Sequence, residues 1–250
     1  IHKKIVKTAA DKSHVFIVHT HREKQRILKV APHAKVLVHP IVWPTNLPAS
    51  LHTNIDSKFA NEYPVLGIFG FLSPYKNFEI VLSLANSLNY NIVLGGATHP
   101  NTSKYGMQST TKCTANSLSN IVMGNPKTPL SNFYHHTAPS DDTLIGLIKS
   151  VDLVVVPYFE TGQSGSGIAS LAVQYGKRVI FSDTHLINEL AAFLNKKPFR
   201  FDVNAEASLA SAIEDALKSN GEREIKFDGY SFKTNINTYL SSLGLGETAE

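Results

Sequence analysis

A glycine and a lysine stand six residues apart in the segment Gly70-Phe-Leu-Ser-Pro-Tyr-Lys76, where a predicted strand gives way to a predicted helix. A glycine at a strand end lets the backbone approach a ligand closely, and a lysine at the following helix start can pair with a phosphate. Lys76 is therefore a candidate catalytic and phosphate-binding residue, with Gly70 and Phe71 beside it. A solvated lysine at a helix terminus is the alternative interpretation.

A second segment, rich in glycine and hydroxyl groups, lies between an apolar strand and a helix and reads Glu160-Thr-Gly-Gln-Ser-Gly-Ser-Gly167. Free backbone amides at a helix N-terminus, together with the helix dipole, favour an anion. The segment fits neither the P-loop nor the Gly-x-Gly-x-x-Gly pattern, and a flexible surface loop is the alternative. The candidate residues of this segment, with one glycine that follows another strand, are Glu160, Thr161, Gly162, Gln163, Ser164, Gly165, Ser166 and Gly96.

Both segments lie within an alternation of apolar strands and amphipathic helices. Strands are predicted at residues 15–20, 35–38, 65–69, 91–94, 121–123, 132–135, 153–157 and 178–182. Helices are predicted at residues 21–30, 141–149, 166–175, 184–194 and 208–218, after a Lys-rich helical pattern at the start of the chain. Pro74 is expected to open a further helix, and Ser140 or Asp141 to cap the helix at 141–149.

This alternation is typical of βαβ units, and continuously apolar strands indicate a sheet that is covered on both faces. The predicted fold class is α/β, a doubly wound parallel sheet over residues 63–225. A small strand–helix–strand unit at 1–44 and a linker at 45–62 precede it, and a C-terminal helix and tail at 226–250 follow. Ligands of such sheets bind beyond the carboxyl ends of the strands, where both candidate segments lie.

The composition restricts the partners of this chain. With 24 Lys and Arg against 20 Asp and Glu, its net charge of +4 suits anionic small ligands or an anionic membrane surface. No basic stripe is interleaved with aromatic residues, which argues against nucleic acid. No apolar run approaches about 18 residues, the length that spans a bilayer. Cys113 is the single cysteine, so no internal disulfide forms and a reducing, cytoplasmic compartment is expected.

Two pairs of polar residues suggest a metal at first sight. Asp141 and Asp142 are better explained as the first turn of a helix, where carboxylates stabilise the dipole. His135 and His136 have no cysteine, histidine or aspartate at a spacing that metal sites use. No metal and no cofactor is therefore expected.

Taken together, the two candidate segments resemble the C-terminal domain of the retaining glycosyltransferases of family 4, which have the GT-B architecture. The resemblance covers residues 63–220 and is carried by residues 67–85, 92–96 and 152–189. In the last of these, an aspartate-led strand and a donor loop precede a small-residue helix that ends at Gly176-Lys-Arg-Val179, with Glu189 as the distal glutamate. Residues 1–44 resemble the last strand–helix–strand of the family's N-terminal domain.

The resemblance implies a role for each segment. Lys76 would neutralise the donor diphosphate as it becomes the leaving group, and the amides of Ser164, Gly165 and Ser166 would cradle the same phosphates. Such charge stabilisation is usually the largest catalytic contribution. Lysine and helix dipole would replace a metal.

The sequence departs from the family at its two glutamates. When aligned on Gly176, Gln163 takes the place of the first and Leu171 that of the second. Gln163 can still hydrogen-bond a sugar hydroxyl without carrying charge, so it is the second candidate catalytic residue. Leu171 has no group for ribose hydroxyls, and Glu160 is the carboxylate that could substitute.

The resemblance therefore implies transfer of a sugar from a nucleotide diphosphate-sugar to an acceptor hydroxyl. A nucleotide-sugar 2-epimerase shares the architecture but needs acid/base carboxylates, against which Gln163 argues. A non-catalytic nucleotide-sugar-binding domain is the third hypothesis. The expected partners are the donor, a sugar or glycolipid acceptor, a membrane surface at its cytoplasmic face, and an N-terminal half that this sequence lacks.

Overall fold

The computed structural model describes residues 3–12, 15–44, 55–97, 132–219 and 225–245. Helices in these ranges are α1 Lys3–Lys12, α2 His21–Val30, α3 Phe78–Ser87, α4 Asp141–Ser150, α5 Gly167–Tyr175, α6 His185–Ala191, α7 Glu206–Lys218 and α8 Phe232–Ser242. Strands are β1 Phe16–Val18, β2 Val36–Val38, β3 Val65–Phe69, β4 Asn91–Gly95, β5 Phe133–His136, β6 Leu153–Val156, β7 Val179–Ser182 and β8 Phe199–Phe201. The strand predicted at residues 121–123 and the residue Cys113 lie outside the described ranges.

Six of these strands form one parallel sheet in the order β5-β4-β3-β6-β7-β8. Side chains alternate between its faces: Val65 and Phe69 pack with α4, α5 and α6, whereas Leu66 and Ile68 pack with α3 and α7. Both faces are thus covered by helices, as the apolar strands require. The predicted fold class, a doubly wound α/β sheet, is confirmed.

The strand order reverses direction between β3 and β6. Chain connections leave these two neighbours toward opposite sides, so the loops after them diverge and open a crevice at the carboxyl edge. The loop after β3 carries Lys76, and the loop after β6 carries residues 160–166. The topology therefore brings the two candidate segments to the same edge of the sheet.

Residues 3–12 and 15–44, called the N-terminal unit below, contain a separate two-stranded parallel sheet in which Phe16 pairs with Val36. A small apolar cluster of Val6, Val18, Ile27 and Val36 holds α1 and α2 onto these strands. The C-terminal helix α8 also contacts this unit, because the Asn235 side chain donates to the Pro40 carbonyl.

The prediction that a helix begins at Pro74 is wrong. Pro74–Lys76 form a 3-10 turn, Asn77 follows in the left-handed region with φ 48°, and α3 begins only at Phe78. Asparagine is one of the few residues with a side chain that enters this region readily. The break turns the chain so that Lys76 ends a turn of its own, ahead of the helix.

Other boundaries differ less from the prediction. Helix α6 stops at Ala191 because Leu194 forms an antiparallel bridge with Phe227. Helix α7 starts at Glu206, two residues earlier than predicted. Strand β8 was not predicted, since three residues with a central Arg200 give too short a pattern. Among the described residues, no helix is both long and apolar enough to cross a membrane.

Candidate functional site

A crevice of about 430 Å³ opens at the carboxyl edge of the sheet, beside the switch between β3 and β6. Three of its sides are the turn after β3, the end of β4 and the start of α5. It is lined by Trp43, Gly70, Phe71, Tyr75, Lys76, Gly95, Gly96, Ala97, Ala138, Pro139, Asp141, Leu144, Gln163, Ser166, Gly167, Ile168 and Leu171. Of the candidate residues, the structure brings Gly70, Phe71, Lys76, Gly96, Gln163 and Ser166 together here.

Lys76 is the buried cation of this crevice, with 4% of its surface exposed. Its Nζ donates a 2.6 Å hydrogen bond to the Tyr158 hydroxyl and lies 4.1 Å from the centre of that ring. The Tyr75 ring covers a second side, 5.4 Å from Nζ. Two aromatic rings therefore hold the amine in one place.

Burial lowers the pKa of Lys76 to about 7 and raises the pKa of Tyr158. Desolvation explains both directions, since it disfavours the charged form of either group. None of the ion pairs within the described ranges involves Lys76. The amine thus has a hydroxyl and two rings around it, and a phosphate would supply the counter-charge that it lacks.

Two glycines make room for this amine. Gly70 has φ +109°, and a Cβ there would lie 2.8 Å from the Lys76 Nζ. A Cβ on Gly96 would lie only 1.9 Å from the Gly70 carbonyl oxygen. The loops after β3 and β4 therefore touch backbone to backbone at Gly96, and a side chain on Gly70 would displace the Lys76 amine instead.

The amino end of α5 forms the wall opposite. Ser166 is its N-cap, and the Ser166 hydroxyl accepts from the Ala169 amide. Gly167 and Ile168 occupy the first turn, whose amides have no acceptor within the helix. Both residues line the crevice with Lys76. A lysine and a helix N-terminus thus share one cavity, which is the arrangement that favours an anion.

Not all candidate residues reach this crevice. Ser164 and Gly165 line a smaller cavity of about 20 Å³ with His19 and Thr20 of the N-terminal unit. Glu160, Thr161 and Gly162 line neither cavity. Of the seven candidate residues at 160–166, only Gln163 and Ser166 therefore line the crevice with Lys76.

The Glu160 carboxylate is occupied by loop and helix amides. It accepts from the Gly162 amide at 2.7 Å and from the His185 amide at 2.8 Å, and it lies 3.7 Å from Arg22. Partial burial raises the pKa of Glu160, but these donors and Arg22 outweigh burial, so the pKa is lowered overall. Its role in this structure is to hold the loop in shape.

Gly165 and Gly167 face the N-terminal unit. A Cβ on Gly165 would lie 3.1 Å from the Ile41 Cδ1, and one on Gly167 would lie 3.2 Å from the Trp43 Cζ2. Small residues are needed here so that two units can pack closely. The family resemblance had implied a different role for Gly165, that its amide cradles the donor phosphates.

Arg22 joins the N-terminal unit to the same loop. Its Nη2 donates to the Gln163 carbonyl at 2.8 Å. The amides of His21 and Arg22, at the start of α2, donate to the two carboxylate oxygens of Glu189 at 2.7 and 3.1 Å. Glu189, singled out by the family resemblance, thus caps α2 and fixes the helix that carries Arg22.

Substituting Arg22 with methionine is expected to loosen residues 160–166. Methionine keeps the hydrocarbon stem but removes the donor to Gln163, and a hydrogen bond of a charged group is worth about 1.5–3 kcal/mol. With a quarter of the Arg22 side chain exposed, a value near the lower limit is expected. Hydrogen exchange should quicken in this loop, and Arg26→Met, an exposed position on the same helix, should leave it unchanged. Equal exchange in the two variants would contradict the role of Arg22.

Trp43, which lines the crevice, and Tyr158, which contacts Lys76 from below the surface, carry little sequence signal. Trp43 follows β2 in an irregular segment and has no periodic pattern, so only its being the single tryptophan marked it. Tyr158 follows β6, where donor contact and packing were equally plausible. It is buried, and its hydroxyl accepts from Lys76.

The geometry can be compared with solved structures. The fold is of the GT-B type. An α,α-trehalose-phosphate synthase (UDP-forming) from Burkholderia xenovorans has a TM-score of 0.66 at 13% identity, with 99% of this chain and 64% of that chain covered. HepE from Anabaena, solved with UDP and glucose, has a TM-score of 0.58 at 16% identity, with 88% of this chain and 58% of that chain covered. Sucrose-phosphate synthase from Thermosynechococcus elongatus has a TM-score of 0.57 at 15% identity, with 88% of this chain and 55% of that chain covered.

The chain therefore spans between 55% and 64% of the length of these three proteins. At such identities the likeness is one of fold. No protein-family profile matches the sequence, and no curated protein matches it.

Proposed function

We propose that this chain supplies the donor side of a glycosyltransferase, which moves a sugar from a nucleoside diphosphate-sugar to an acceptor hydroxyl. One observation carries the proposal: Lys76 and the amino end of α5 line the same crevice at the switch point of the sheet. Anions with two phosphate groups suit this pair, because one end meets an ammonium and the other meets helix amides.

The chemistry follows from where charge develops. As the bond between the sugar carbon and the diphosphate oxygen breaks, the diphosphate leaves with added negative charge. Lys76 and the first-turn amides of α5 would stabilise that charge in a partly enclosed site. An adjacent phosphate raises the pKa of a lysine. Binding would therefore raise the pKa of Lys76 above its value of about 7 in the free protein, and the amine would be fully protonated. We assign the reaction to the metal-independent, retaining class.

Two of the similar structures support the class of donor. One is described as UDP-forming, and the other was solved with UDP and glucose. Both descriptions concern proteins that share the fold of this chain. They make a uridine nucleotide the first donor to test.

Gln163 is proposed to contact the sugar. It lines the crevice, and its Nε2 donates to the Gly165 carbonyl at 2.6 Å, which orients the amide. A sugar hydroxyl would then donate to Oε1. The acceptor, a sugar or a glycolipid, would enter from the side of the N-terminal unit. The acceptor half of a GT-B enzyme is proposed to lie on this side, and so is a membrane surface.

A non-catalytic binding domain is the second candidate, and Leu171 is the observation that favours it. Leu171 lines the crevice with hydrocarbon, at the position where the family resemblance implies a carboxylate. Binding of UDP-glucose without hydrolysis or transfer, even after an acceptor half is supplied, would select this candidate.

Replacing Lys76 with alanine is expected to weaken binding of nucleoside diphosphates about 10- to 100-fold, because a hydrogen bond to a charged group is worth about 1.5–3 kcal/mol. Binding of the parent nucleosides should change little. Calorimetry with the four common nucleoside diphosphates and their nucleosides measures both.

Lys177→Ala is the matched control. It removes the same charge, but Lys177 pairs with Asp152 just before β6, at the opposite edge of the sheet. Equal losses of diphosphate and nucleoside affinity in Lys76→Ala would refute the phosphate role, as would a comparable loss in the control.

A further inference from the structure

Asp141, in the first turn of α4, is the single acidic residue among the described residues that line the crevice, and Lys76 is the single basic one. Within the described ranges, no hydrogen bond or ion pair involves the Asp141 carboxylate. The crevice thus offers an ammonium group and, separately, a carboxylate that is available to a ligand. These two groups suit different parts of one molecule.

Helix capping does not explain the Asp141 carboxylate. The N-cap of α4 is Ser140, whose hydroxyl accepts from the Thr143 amide. Asp142 stands in the same first turn, where any carboxylate favours the helix dipole. Asp142 does not line the crevice, however. Two neighbouring aspartates therefore share the helix terminus, and Asp141 alone of the two is placed to meet a ligand.

Asp141 and Gln163 lie on opposite sides of Lys76 along the carboxyl edge of the sheet. Asp141 follows β5, Lys76 follows β3 and Gln163 follows β6. The strand order β5-β4-β3-β6 places β3 between the other two, and strands about 4.8 Å apart put β5 and β6 about 14 Å from each other. A nucleotide sugar with its diphosphate at Lys76 and its sugar at Gln163 would therefore extend its nucleoside toward Asp141.

The chemistry of a carboxylate suits the ribose of that nucleoside. Ribose has two neighbouring hydroxyls that can donate, and an ionised carboxylate has two oxygens that can only accept. Hydrogen bonds to such an acceptor are about twice as strong as those between neutral groups. A carboxylate would repel the phosphates, so the diphosphate is not its partner. Leu171, at the position where the family resemblance implies a carboxylate, lines the same crevice with hydrocarbon.

We propose that Asp141 accepts hydrogen bonds from the two ribose hydroxyls of the bound nucleoside diphosphate. The inference rests on the proposed function and deepens it, because it restricts the ligand to ribonucleotides. The sequence had offered Glu160 for this contact, but Glu160 binds the amides of Gly162 and His185 and lines neither cavity. The carboxylate for the ribose then comes from α4.

Calorimetry with the four common nucleoside diphosphates and their 2′,3′-dideoxy counterparts tests this assignment. The wild-type protein should bind the ribose form at least about tenfold more tightly, the effect of a hydrogen bond to a charged group. Asp141→Ala should bind the two forms with nearly equal affinity, and its affinity for inorganic diphosphate should not fall. Asp142→Ala is the matched control, because it removes the same charge from the same turn of α4 and should keep the wild-type preference.

The outcomes separate this inference from the function beneath it. Wild-type protein that binds no nucleoside diphosphate would overturn both. Wild-type protein that binds both forms equally, or an Asp141→Ala variant that keeps the preference, would overturn only the role of Asp141. An equal loss of preference in Asp142→Ala would also overturn it, since the cause would then be the terminus of α4. Thermal unfolding checks that the variants are folded, and Asp141→Asn, which keeps the shape of the side chain, replaces Asp141→Ala if that variant is not.

Discussion

Substitution of Gly96 by alanine is expected to destabilise the protein by about 3 kcal/mol or more, at or beyond the upper end of overpacking effects. The new methyl carbon would lie 1.9 Å from the Gly70 carbonyl oxygen. Neither backbone can retreat, because Gly70 donates to the Gly95 carbonyl and Gly96 to the His136 carbonyl. The crevice would be lost together with the contact that forms its floor.

Gly229→Ala provides the comparison. Gly229 has φ +73° and nothing within 4 Å of its Cβ position, so alanine there meets backbone strain of about 1–2 kcal/mol without a clash. Urea denaturation of both variants and the wild type gives the two free energies of unfolding. If Gly96→Ala were no less stable than Gly229→Ala, the close approach of the two loops would be wrong.

Lys76→Met is expected to make the protein more stable than the wild type at pH 7 and below. The buried amine has a pKa of about 7, against 10.5 for an exposed lysine. Folding must therefore either desolvate the charge or release the proton, and methionine requires neither. The separation of the two pKa values corresponds to a gain in the free energy of unfolding on the order of 5 kcal/mol as an upper limit.

The direction of the pH dependence follows from proton counts. Between pH 7 and pH 10.5 the unfolded chain binds the Lys76 proton and the folded chain does not, so wild-type stability rises with pH in this window. The advantage of Lys76→Met should be full below pH 7 and disappear toward pH 10.5. Urea denaturation at pH 6, 8 and 9.5 measures the difference, with exposed Lys233→Met as the control. Parallel stability curves for the wild type and Lys76→Met would show that Lys76 is solvated.

Local pattern was sufficient to predict five of the six strands of the sheet, all except β8, and the helices that cover them. Continuous apolar strands and caps such as Ser140 are short-range signals, and Ser140 does accept from the Thr143 amide. The 3-10 turn at Pro74 was not predictable in this way, because proline is also common in the first turn of an α-helix. What ends the turn is the left-handed Asn77.

The candidate site was predictable only in part. Strand ends located Lys76 and Gln163, since parallel topology brings such loops to one edge. Pattern could not say what each glycine faces: Gly165 lies against Ile41 and Gly167 against Trp43, more than a hundred residues away in the chain. Contacts of that range depend on the tertiary fold, and Trp43 was therefore missed.

Three residues of the N-terminal unit contact alternate residues of the peptide from Gln163 to Gly167. Arg22 binds Gln163, Ile41 packs on Gly165, and Trp43 packs on Gly167. Any rotation of the N-terminal unit against the main sheet must release these contacts. A ligand that binds better when these contacts are formed stabilises the arrangement in which the N-terminal unit contacts the peptide. By the same factor, that arrangement raises the affinity for the ligand. Packing of the N-terminal unit against this peptide and occupancy of the crevice are therefore thermodynamically coupled.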